Sequence, residues 1–94
     1  MSVLIFKFAE RFVNGWISAQ SFSDAYVQLW KIERDSDLLR EDFPGLNECL
    51  STIFCVADMY EPDEVSRADY ELGDEGLLRE VSNVLAAFDR SVFD

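Results

Sequence analysis

Four stretches of this chain place apolar residues three or four positions apart, the period of a helix with one buried face, and no stretch reads convincingly as a strand. Ile5, Phe8, Phe12 and Trp16 recur at i, i+3, i+7 and i+11. That spacing predicts a first helix over about Val3 to Asn14, with Gly15 as its stop. A second helix opens near Ser21 or Ser23, either of which suits a cap, and runs to about Arg34 with Phe22, Tyr26, Leu29 and Trp30 facing inward. Asp35-Ser36-Asp37 ends it, and Leu38 to Asp42 is a polar connection. A third helix starts at Asp42 or Phe43, with Pro44 in the first turn, where a missing N–H is harmless. Its stripe is Leu46, Leu50, Ile53, Ala57 and Tyr60, and Pro62 closes it. Asp63 to Gly73 reads as a loop with a short helical turn around Ser66 to Tyr70. A fourth helix begins near Asp74, where Asp74 and Glu75 complement the helix dipole. Leu77, Val81, Leu85, Phe88 and Val92 form its inner stripe. Four such helices in 94 residues predict an all-α fold, an antiparallel four-helix bundle, as one small domain over residues 1–94.

A chain of this length buries only about 60% of the surface its unfolded form exposes, so the core has to be dense in large side chains. Eight Phe in a 49% hydrophobic composition meet that need, and Trp16, Trp30 and Phe93 are assigned to the core or its caps. Cys49 and Cys55 are expected as buried or half-buried reduced thiols. Six residues of helix separate them by about 9 Å of rise, too far for a disulfide within one helix. The apolar run Val3 to Phe6 is short and broken by Lys7, unlike a signal peptide, and nothing is long enough to span a bilayer. The expectation is a cytoplasmic protein with no membrane partner.

Charge narrows the function. The formal net charge is −11, and there is no His. Direct nucleic-acid binding is disfavoured, because phosphate binding draws on Lys and Arg. Histidine catalysis and histidine metal ligation are excluded. Asp69 to Glu80 departs from a calcium loop, with Asp74 where the turn glycine belongs, and Asp35-Ser36-Asp37 departs further. Paired carboxylates need a shaped cleft to act on a substrate, and a small bundle offers little room for one. No cofactor, no metal and no enzymatic activity are expected.

The acids are not evenly spread. Asp58, Glu61, Asp63, Glu64, Asp69, Glu71, Asp74 and Glu75 face Arg67 alone, so net −7 of the chain's −11 falls between Asp58 and Glu75. Like charges at this density repel one another and destabilise the compact state. Asp74 and Glu75 suit a helix N-terminus, whereas Asp58 and Glu61 lie at a predicted C-terminus, where the dipole opposes them. A solvated acidic face and a docking surface for a basic partner both fit this pattern. Tyr60 is open to a core or an interface role.

Tyr60-Glu61-Pro62-Asp63, then Arg67-Ala68-Asp69-Tyr70-Glu71-Leu72, then Gly76-Leu77 with Glu80-Val81 resemble the colicin D immunity protein family. The resemblance is specific over about Asp58 to Phe88. Upstream it rests on the helix pattern, including Phe22-Ser23. It implies a four-helix antiparallel bundle that occludes the active site of a toxin cleaving transfer RNA in the anticodon region, with acidic side chains mimicking the RNA backbone. By matching position it implies that Asp58, Glu61 and Asp63 make that contact. Tyr60, Glu64, Asp69 and Glu71 complete the candidate partner-binding set, while Arg67, Tyr70 and Leu72 look like structural residues. The same role occurs among immunity proteins of contact-dependent growth inhibition. The alternative is an acidic helical adaptor, or nucleic-acid mimic, acting on another basic protein.

Overall fold

The computed structural model describes residues 2–35 and 44–88. Four helices, α1 (Ser2–Val13), α2 (Ala19–Asp35), α3 (Pro44–Asp58) and α4 (Asp74–Ala87), form an antiparallel bundle without a strand among the described residues. The expected helix start at Asp42 or Phe43, the connection from Ser36 to Asp42, and Val92 and Phe93 lie outside those residues. No described helix is long and apolar enough to cross a membrane.

Gly15 ends α1 as expected, and its φ of +86° supplies the left-handed residue that the stop needs. Its N–H donates to the Phe12 carbonyl at 3.0 Å, and the Trp16 N–H reaches back to the Arg11 carbonyl at 2.9 Å. This pair of bonds is a Schellman closure. The turn directs Trp16 outward at 81% exposure, which corrects its assignment to the core. The cap of α2 is likewise neither Ser21 nor Ser23 but Ser18, whose Oγ accepts the Ser21 N–H at 3.2 Å.

Ser23 is instead a core residue. Its hydroxyl donates at 2.9 Å to the Ala57 carbonyl in the last turn of α3, which also accepts the Tyr60 N–H at 3.2 Å. Three residues on, the fully buried Tyr26 donates to the Leu50 carbonyl at 2.7 Å. Burial raises that hydroxyl far above its ordinary pKa, so it stays a donor. Phe22, also fully buried, stacks on Phe12 at 4.3 Å and meets Phe8 and Tyr26 at 5.5 and 5.3 Å. Phe6 closes the opposite side against Phe88 at 5.1 Å. Leu46, Leu50, Ile53, Leu77 and Val81 fill the space between.

Two further inward assignments fail. Leu29 falls at the edge of the α2 stripe defined by Phe22, Tyr26 and the buried Glu33, and is exposed. Cys55 is exposed as well, while Cys49 is buried and its thiol is pushed up to about 11 by that burial; both are free. Trp30 is half-buried, stacked on Phe54 at 4.3 Å.

Candidate functional site

Helix α3 stops at Asp58, before Pro62, because the chain changes hydrogen-bond partners there. Met59 and Tyr60 donate to carbonyls three residues back, and the next donor, Glu61 N–H, crosses to the Leu72 carbonyl at 2.8 Å. Leu72 N–H returns to the Met59 carbonyl at 2.8 Å, making a single parallel bridge between Tyr60 and Leu72. The bridge clamps the two ends of the acidic loop together, as in a compact Ω-type loop.

Inside the clamp lie two tight turns rather than the short helical turn expected around Ser66 to Tyr70. Ser66 N–H donates to the Asp63 carbonyl at 3.2 Å, and Glu71 N–H donates to the Ala68 carbonyl at 3.0 Å. Each turn is reinforced by a carboxylate at one end. Asp63 accepts the Val65 N–H at 3.0 Å and the Ser66 hydroxyl at 2.9 Å. Glu71 accepts the Ala68 N–H at 2.9 Å. The Ser66 hydroxyl, then the Val65 N–H, hold the Asp63 carboxyl below its ordinary pKa. Arg67 sits between the turns, and its Nε donates to the Glu61 carbonyl at 3.0 Å. Its guanidinium lies where a Cβ at residue 73 would be, 2.7 Å from the nearest atom, so Gly73 admits it by having no side chain.

This architecture sorts the candidate residues into two groups. Glu61, Asp63 and Glu71 accept hydrogen bonds from the loop itself, the Glu61 carboxylate from the Asp63 N–H at 3.2 Å. Asp74 accepts the Tyr60 hydroxyl at 2.6 Å. Tyr60 resolves its two alternatives partly in favour of packing. Its ring lies against the core, and burial followed by the Asp74 bond pushes its hydroxyl up to about 12. Asp58, Glu64, Asp69 and Glu75 are exposed, and no hydrogen bond or ion pair to a described residue engages their side chains. Glu64 and Glu75 flank one recess with Arg67 and Arg79.

Glu75 was outside the expected partner-binding set, and one further acid lies outside the acidic stretch altogether. Antiparallel packing lays the first half of α2 beside the last turn of α3, bringing Asp24 to the rim of an open groove with Asp58, Gln28 and Tyr60. The groove has a volume of about 360 Å³, and no basic residue lines it. The antiparallel topology was the signal that leads to Asp24; charge density along the sequence was not. Tyr70, expected among the structural residues, is 72% exposed. Leu72 keeps its expected part through the bridge and its contact beneath Gly76. Among the described residues no group of three or more Cys, Asp or Glu gathers as a metal site.

The surface thus consists of exposed carboxylates around one end of a bundle, Glu64 and Asp69 on the internally bonded loop and Asp24, Asp58 and Glu75 on the helices beside it. Such a surface attracts and orients cations. No curated protein matches the chain. Residues 1–88 match the family model for bacterial self-protective colicin-like immunity, across all four helices and the acidic loop. The chain belongs to that immunity family.

Proposed function

We propose that this chain protects its cell by covering the active site of a toxin that cleaves transfer RNA in the anticodon region. The observation that carries the reading is the segregation of the acids. Asp63, Glu71 and Asp74 hold the local structure, while Asp58, Glu64, Asp69, Glu75 and the neighbouring Asp24 point no charge at a partner within the described chain. A group of exposed carboxylates without an ion-pair partner among the described residues suits the basic cleft that binds an RNA backbone, and it excludes RNA by occupying the same positive groups. The protein works as a steric and electrostatic plug in the cytoplasm and performs no catalytic step. Association is fast and slows with salt, because unlike fields steer the encounter.

An immunity gene is expected to adjoin the gene of its toxin, and co-expression with that neighbouring toxin domain tests this, read as growth and as intact anticodon loops. Asp58→Lys with Glu64→Lys is expected to abolish protection with the helical circular dichroism spectrum unchanged. Asp63 is the wrong residue to reverse, since its carboxylate closes a turn. Full protection by the double variant, or cleavage of another RNA class by the toxin, overturns the reading.

A further inference from the structure

The two turns of the acidic loop share a pattern that charge alone does not explain. Each carries, at its two corner positions, an unpaired acid followed by an exposed apolar residue: Glu64-Val65 in the first turn and Asp69-Tyr70 in the second. Val65 is 95% exposed and Tyr70 is 72% exposed. Corner positions of tight turns ordinarily take Gly, Asn, Asp, Ser or Pro, and a β-branched residue is a poor choice there. Neither side chain contributes to the core cluster, so folding does not account for them. Both are also held in place: the Val65 N–H is bonded to Asp63, and the turn of Tyr70 is closed at both ends by Glu71.

The geometry points to Val65 and Tyr70 as a pair of apolar anchors that enter depressions in the toxin surface between the basic groups meeting Glu64 and Asp69. This rests on the proposed function and adds a division of labour. The corner acids steer and align the partner, and the corner hydrophobes, once desolvated, set how long the complex lasts. Holding the backbone before contact lowers the ordering cost that a mobile loop would bring to binding. The occupant is therefore a protein with a basic rim around apolar pockets, which is a more selective description than a polycation.

Association and dissociation rates against a catalytically inactive form of the neighbouring toxin domain, measured at several salt concentrations, test the assignment. Val65→Ala and Tyr70→Ala are each expected to speed dissociation at least about tenfold, leaving the association rate and its salt slope unchanged. Tyr70→Phe is expected to stay near wild type, because the ring is the anchor. Both residues are exposed, so thermal stability serves as the control that each variant is folded. Unchanged dissociation in both alanine variants, or an effect confined to association, overturns the anchors. The charge reading fails separately: it is lost if Asp58→Lys with Glu64→Lys leaves association and its salt dependence unchanged.

Discussion

The bundle and the acidic loop are held by different forces. Between the helices, fully buried side chains such as Phe22, Leu50, Ile53 and Val81 carry the structure, and the polar contacts are few and directed, as in Ser23 to Ala57 and Tyr26 to Leu50. From Tyr60 to Leu72 the chain is held by backbone bonds, two turn-closing carboxylates and one arginine. The difference teaches that the loop meets the core only through its ends, at Tyr60 and Leu72, and keeps its shape between them with its own bonds. It spends some of its negative charge on itself and leaves the rest outward, so the residues that hold the loop differ from those to which the proposed function gives recognition.

Phe22→Ala tests that separation most severely. Emptying the centre of the aromatic cluster is expected to cost about 3–5 kcal/mol in denaturant unfolding, with toxin affinity per folded molecule unchanged. Arg67→Met removes the charged donor to the Glu61 carbonyl and is expected to cost about 1.5 kcal/mol. Its signature is faster amide exchange at Glu61 and Leu72 with helical amides unaffected, and a uniform loss of protection across the bundle would break the comparison. Gly15→Ala forces a side chain into a left-handed position, and a loss of about 1 kcal/mol in thermal unfolding is expected with the loop untouched. The smallest effect is titration of Asp63. Its folded pKa is lowered from 3.8, so its contribution is fully present above that value and disappears as pH falls through the lowered folded value. Carboxyl carbon shifts should therefore give a midpoint below 3.8, which Ser66→Ala moves upward.

Much of the bundle was legible because a helix in a small protein has to repeat its apolar face. Phe12, Phe22, Tyr26, Leu50, Leu77 and Val81 are where periodicity puts them. The failures fall where a residue's part depends on a neighbour distant in sequence or on a local turn of the chain. Ser23 looks like a cap until α3 places the Ala57 carbonyl against it. Trp16 continues a helical stripe on paper, yet Gly15 has already turned the chain away. In the acidic stretch, composition located the surface but not its division, since an Asp that closes a turn and a Glu that faces solvent look alike in sequence. Asp24 needed the fold itself.

The separation of closing residues from corner residues has an evolutionary consequence. The groups that close each turn bond to backbone N–H groups, which every non-proline residue carries, so the frame is indifferent to the side chains at its corners. Exchanging Glu64-Val65 or Asp69-Tyr70 therefore alters what is presented without reopening the loop or disturbing the helices. On the proposed division of labour, a lineage facing a diverging toxin has two short cassettes in which to answer it. Its fold does not have to be rediscovered at each step.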